Sequence, residues 1–133
     1  MSTLAIDSWA LIEWLLGQPG APKVRAILDQ ANDGQHQLLM NWINVGEVIY
    51  MLVRKRSQQA SEDFLTRLPS LPIRLVLPTA DSIVRVARLI SKSKLSYADA
   101  FAVDLAVQQQ GGIVTGDPEI AALGFVKVVW VGP

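Results

Sequence analysis

Thr3-Leu4-Ala5-Ile6-Asp7-Ser8-Trp9 near the start of the chain and Ile113-Val114-Thr115-Gly116-Asp117-Pro118 near its end set the reading of the whole fold. Each is a short apolar, β-compatible run that meets an acid where a helix begins. Asp7 or Ser8 can cap the helix that follows, in which Trp9, Ile12, Leu15 and Leu16 recur at helical spacing. Asp117 precedes Pro118, and proline is favoured at the first helical position.

Between these runs the same alternation repeats. Gly17 to Pro22 breaks the first helix, and Lys23 to Ala31 reads as a second, with Val24, Ile27, Leu28 and Ala31 on one face. Gln37 to Met40 is a strand. A helix over Ile43 to Arg54 follows, with Val45, Val48, Ile49, Leu52 and Val53 as its buried face. Ala60 to Leu68 is helical up to Pro69, and Ile73 to Leu77 is the next strand. Asp81 to Lys92 reads as a helix with Ile83, Val84, Ala87 and Ile90 inward. Ser96 opens a helix carrying Phe101, Ala102, Leu105 and Ala106 as far as Gly111-Gly112, and Val126 to Val131 is a closing strand. Short apolar strands alternating with amphipathic helices predict an α/β fold, a parallel sheet covered on both faces. In such sheets binding sites lie beyond the carboxyl ends of the strands.

The 133 residues suit a single domain spanning 1–133, and half of them are apolar, enough for a real core. Net charge is zero, so no strongly basic field surrounds the protein, and any nucleic-acid contact must come from a local patch. The absence of cysteine excludes disulfides, thiolate metal sites and cysteine nucleophiles, and is compatible with a cytoplasmic location. No apolar stretch approaches the roughly 20 residues needed to cross a bilayer, so no membrane association is expected. Residues 1–7 lack the basic start of a signal peptide.

The acids fall in a pattern. Asp7 directly follows the first strand, and Asp117 lies two residues after Thr115, at the end of another. Glu47 is early in the helix after the second strand, in a narrow polar stripe with Asn44 and Tyr50, and Asp99 lies in the first turn of a helix, three residues after its cap Ser96. All four map to one edge of the sheet. Carboxylates crowded there repel and protonate unless a cation joins them, and oxygen ligands without His or Cys select Mg²⁺ or Mn²⁺ over zinc. Each acid also has a plainer reading: Asp7 and Asp117 as helix caps, Asp99 as the partner of Ser96 in a capping box. Asp104, about 140° round the helix from Asp99, does not share its face and reads as solvated or locally paired.

Ala5-Ile6-Asp7-Ser8, Asn44-Val45-Gly46-Glu47-Val48, Leu95-Ser96-Tyr97-Ala98-Asp99-Ala100-Phe101 and Val114-Thr115-Gly116-Asp117 together resemble the PIN domain, most closely the VapC-type toxins of bacterial toxin–antitoxin pairs. The likeness covers essentially the whole chain. No single motif is specific, but their order and spacing are. The resemblance implies a three-layer α/β/α sandwich around a mainly parallel sheet of about five strands. It implies endoribonuclease activity on an RNA substrate with Mg²⁺ or Mn²⁺ as cofactor. Asp7 and Asp99 then correspond to the principal metal-binding acids, Glu47 and Asp117 to the completing ones, and Thr115 to the hydroxyl of the Thr-Gly-Asp turn. An antitoxin protein and a second copy of the chain are the implied partners.

Other features are less specific. Arg85, Arg88 and Lys92 line one helix face that Lys94 extends toward Asp99; this face suits RNA phosphates or plain solvent. Arg54-Lys55-Arg56 suits a helix C-terminus. His36, the only histidine, stands at a turn and strand start and reads as structural or exposed, not catalytic. Of Trp9, Trp14, Trp42 and Trp130, most belong to the core, while Trp9 and Trp14 also suit an interface with an antitoxin peptide or second subunit. Two other readings remain: a PIN-type RNA-processing nuclease without an antitoxin, and a non-enzymatic phosphate-binding or receiver-like module. Against the last, Asp7-Ser8-Trp9 stands where a glycine-rich phosphate loop would be, and no lysine follows the late strand at Val114 to Asp117.

Overall fold

A computed structural model describes residues 2–133. The strands are β1 (Ser2–Ile6), β2 (His36–Asn41), β3 (Ile73–Val76), β4 (Gly112–Thr115) and β5 (Lys127–Trp130). The helices are α1 (Ser8–Leu15), α2 (Ala21–Asn32), α3 (Trp42–Lys55), α4 (Gln58–Arg67), α5 (Ala80–Ile90), α6 (Tyr97–Gln108) and α7 (Pro118–Ala121), with a 3₁₀ turn at Leu68–Ser70. The sheet is wholly parallel, in the order β3-β2-β1-β4-β5. The α/β class and the sheet of about five strands expected from the sequence are therefore observed.

Period-two alternation sorts the strand residues between two cores. Leu4, Ile6, Leu38, Met40 and Val114 face α1 to α4, and Ala5, Leu39 and Ile113 face α5, α6 and α7. Helix α6 is buried on nearly every side, with Ala100, Phe101, Ala102, Val103, Leu105 and Ala106 in contact with the sheet and its neighbours. Among the described residues no helix is long and apolar enough to cross a membrane.

Three local expectations change. The second helix begins at Ala21, not Lys23, because Pro22 fits its first turn, where no intrahelical N–H is needed. Helix α5 buries Ser82 and Val86, while Ile83 and Val84 are 44% and 46% exposed and Ala87 is also exposed. The polar Ser82 can turn inward because its hydroxyl and N–H close a capping box with Thr79. Val53, at the end of α3, is exposed and not part of its buried face.

The strand order reverses between β1 and β4. Chain growth from β1 runs outward through β2 to β3, then returns to β4 on the other side of β1. The crevice at the carboxyl ends of β1 and β4 is thus the switch point where parallel α/β sheets place their sites.

Candidate functional site

Asp7 and Thr115 meet at that crevice. Ile6 pairs with Val114 in the sheet, and the Asp7 N–H donates to the Val114 carbonyl at 3.2 Å, bringing the two strand ends side by side. Asp7 is fully buried. One carboxyl oxygen accepts the Ala10 N–H at 2.8 Å, capping α1, and the other accepts a short hydrogen bond from the Thr115 hydroxyl. Thr115 in turn accepts the Asp117 N–H at 3.0 Å, and Asp117 caps α7 by accepting the Glu119 N–H at 2.9 Å. The cap reading of Asp7 and Asp117 is therefore true, and it fixes where both carboxyl groups stand.

Glu47 and Asp99 come from the helices beside this crevice. The Tyr50 hydroxyl donates to Glu47 at 3.2 Å, and the Arg54 guanidinium lies 5.0 Å over the Tyr50 ring, a chain of contacts along one face of α3. Asp99 sits in the first turn of α6, where its N–H donates to the capping Ser96 hydroxyl at 3.1 Å. Its carboxyl group feels the charges of Asp117 and Glu47, while Asp7 feels the charges of Asp99 and Asp117. Asp7, Asp99 and Asp117 are thus near one another at the carboxyl edge of the sheet, and Glu47 is near Asp99.

Their electrostatics follow. Burial pushes the Asp7 carboxyl up to about 7; the bonds from Thr115 and Ala10 oppose the shift, and the charges of Asp99 and Asp117 add to it. Burial also raises Asp99 to about 7, helped by contact with Asp117 and opposed by the Ser96 hydroxyl. Among the described residues no three acids close tightly enough to enclose a cation as they stand. The expected sharing of one ion by four carboxyl groups is therefore not preassembled.

The donor set nonetheless suits a hard divalent ion. It consists of carboxylate and hydroxyl oxygens without histidine or cysteine. Asn44 strengthens the match. This buried residue, one turn before Glu47, donates to the Ala98 carbonyl at 2.9 Å and to Ser8 at 3.3 Å. It so ties α3 to the residues next to Asp7 and Asp99. Its Oδ1 is buried without a hydrogen-bond partner, an acceptor available to the water shell of a cation. Sequence reading placed Asn44 only as a neighbour of Glu47; its bonds to residues 36 and 54 positions away have no sequence signal.

The other residues singled out earlier lie elsewhere. Asp104 forms a two-pronged pair with Arg85 across α5 and α6, at 2.9 and 3.1 Å. This removes Arg85 from the basic face that was expected to continue through Arg88, Lys92 and Lys94. His36 bonds Ser2 and Gln30, in the structural role expected of it. Trp9 and Trp14 are partly buried against the core, and Trp14 lies under the Arg67 guanidinium at 4.5 Å; Trp42 and Trp130 are the more exposed pair. Gly116 is needed by Trp9, since a methyl group there would collide with the indole ring. Gly116→Ala is expected to cost about 1–3 kcal/mol through overpacking, read as a lower melting temperature, and to displace Thr115 and Asp117.

Several solved structures resemble this one. VapC20 of Mycobacterium tuberculosis, a toxin that cleaves the sarcin–ricin loop, superposes with a TM-score of 0.78 at 16% identity, over 94% of this chain and 98% of that one. VapBC2 from Rickettsia felis, solved bound to a fragment of promoter DNA, gives 0.75 at 10% identity, over 96% of this chain and 97% of that one. A toxin–antitoxin complex from Klebsiella pneumoniae gives 0.69 at 18% identity, over 96% and 97%. At these identities the likeness is one of fold. Among curated proteins, none matches the sequence. The PIN domain family matches residues 4–126, nearly the whole chain, a span that contains Asp7, Glu47, Asp99 and Asp117, and the chain belongs to that family.

Proposed function

We propose that this protein is an endoribonuclease dependent on Mg²⁺ or Mn²⁺, acting in the cytoplasm as the toxin of a toxin–antitoxin pair. The observation that supports it most is the placing of Asp7 and Asp117 after β1 and β4 at the switch point, with Asp99 of α6 near both and Glu47 of α3 near Asp99, and with Asp7 buried and held on both oxygens. In this reading the four acids hold the cation. When bound, the ion would stabilise the charge that builds on a phosphodiester under attack and make water more acidic. Thr115 positions Asp7 by donating its hydroxyl to the carboxylate, and Asp117 by accepting that residue's N–H on the same oxygen. Tyr50 orients Glu47, and Asn44 holds α3 against the starts of α1 and α6. Asp7, fully buried, is poorly placed to meet the attacking water; Glu47, Asp99 and Asp117 are more open and suit a general base.

The partner reading draws on two surfaces. A cleft of about 400 Å³ between α1, α3 and α4 has Leu15, Leu52 and Phe64 on its walls and Arg56 and Arg67 at its rim, suited to an apolar antitoxin segment with acidic flanks. Leu77, 71% exposed, with Ile83 and Val84 on α5, offers apolar surface to a second copy of the chain.

The test is to purify the protein free of partners and present structured RNAs with Mg²⁺, with Mn²⁺ and with a chelator. Cleavage is expected with either ion and not with the chelator. Failure to cleave under all conditions would remove the nuclease reading. Harmless expression of the protein alone would remove the toxin role and leave the nuclease.

A further inference from the structure

A second cleft is lined by residues that lie next in the chain to the acidic site. It has a volume of about 480 Å³ and lies between the α5–α6 turn and the segment after α7. Leu89, Leu95, Leu123 and Phe125 form its apolar lining, and the exposed Lys92, Lys94 and Glu119 supply its charges. One hydrogen bond and one step of the chain join it to the acids. Glu119 donates its N–H to Asp117, and Leu95 immediately precedes Ser96, the cap of the Asp99 helix. Phe125 is 58% exposed. Lys92 and Lys94 are also exposed and form no ion pair among the described residues, unlike Arg85.

We propose that this cleft seats one unpaired nucleotide of the RNA, beside the bond that the acids cleave; the proposal rests on the nuclease reading above. The chemistry of the cleft matches that ligand in both halves. An aromatic ring open to solvent over an apolar floor offers a stacking surface for a base, which only an unpaired nucleotide can present. Two free ammonium groups of the cleft offer contacts to the adjoining phosphates. They are also the means by which a protein of zero net charge brings a polyanion to a cluster of carboxylates. An apolar protein segment would use the floor but not the paired lysines. The cleft therefore selects single-stranded or looped RNA over a continuous duplex.

The test uses a short, fluorescently labelled single-stranded RNA of mixed sequence, its fully paired duplex, and the full-length protein. Binding is followed by anisotropy without divalent ions, and cleavage is followed with Mg²⁺. Phe125→Ala is expected to weaken single-strand binding and raise KM about tenfold, with kcat within about twofold and an unchanged melting temperature. Phe125→Trp should recover the affinity. Lys92→Gln with Lys94→Gln should lower the slope of log affinity against log salt by about 1.4. Arg74→Gln, on the outer strand β3, should change neither. Wild-type affinity and salt slope in all the cleft variants, in a protein that still cleaves RNA, overturn the cleft and leave the nuclease standing. A loss in Phe125→Ala that Phe125→Trp does not recover overturns the stacking role. A wild-type protein that neither binds nor cleaves RNA overturns both.

Discussion

Asp7→Asn is expected to abolish RNA cleavage, by about a thousandfold or more, while the protein keeps its fold. The amide matches the carboxylate in size. Its Oδ1 still accepts the Ala10 N–H that caps α1, and its NH₂ can donate to the Thr115 oxygen in place of the bond it now receives. What disappears is one negative charge from a site proposed to hold a divalent ion. Asp99→Asn should have a similar effect from the opposite wall of the crevice. The control is Asp104→Asn. Asp104 lies on the same helix as Asp99, but it is spent on the pair with Arg85 between α5 and α6. Its loss should cost about 1 kcal/mol of stability and leave cleavage within about twofold of wild type. Steady-state cleavage rates, paired with melting curves for the three variants, separate the two kinds of effect. Normal cleavage by Asp7→Asn or Asp99→Asn removes that residue from the proposed site, and an equal loss in Asp104→Asn removes the distinction between them.

The sequence revealed this site better than it revealed the packing around it, for a physical reason. A parallel strand ends where its apolar run ends, so the acid after Ile6 and the acid after Thr115-Gly116 had to reach the same edge once the sheet was parallel. Tertiary detail was not needed. The face of α5 was another matter. Ile83, Val84 and Ala87 follow the spacing of a buried stripe, yet the helix turns Ser82 and Val86 inward. Hydropathy could not show that the Ser82 hydroxyl would be satisfied by Thr79 and so tolerate burial. The same limit applied to Arg85. Three and seven residues before Arg88 and Lys92 it looks like part of a basic face, and only the packing of α5 on α6 commits it to Asp104. Asn44 was readable as polar but not as a tie between three helices, because Ser8 and Ala98 are remote in the chain.

The metal-free protein is expected to lose stability as pH rises from about 4 to about 7, and Mg²⁺ should restore it mainly at the upper end. The sign follows from Asp7 and Asp99, both raised to about 7 in the folded protein against an ordinary value of 3.8. Between those limits the folded state retains protons that the unfolded state has released. Stability therefore decreases as pH increases, with a slope of up to about 1.4 kcal/mol per pH unit for the fully buried Asp7. Asp99 is partly open to solvent and adds less. Below about pH 4 both states are protonated, and above about 7 both are ionised, so the curve flattens at each end. Asp7→Asn has no such proton to lose. It should melt above the wild type at pH 8 without metal, should equal it near pH 4, and should show a shallower decline between. A divalent ion that binds the ionised carboxylates favours the folded state in the same window. The wild type should therefore gain melting temperature from Mg²⁺ at pH 8 and almost none at pH 4, with Asp7→Asn gaining little at either. Thermal melts at the two pH values, with Mg²⁺ and with chelator, provide the readout independently of any RNA. A wild-type curve that rises with pH across this range in the absence of metal would contradict the raised carboxyls. Equal Mg²⁺ stabilisation of wild type and Asp7→Asn would place the ion away from Asp7.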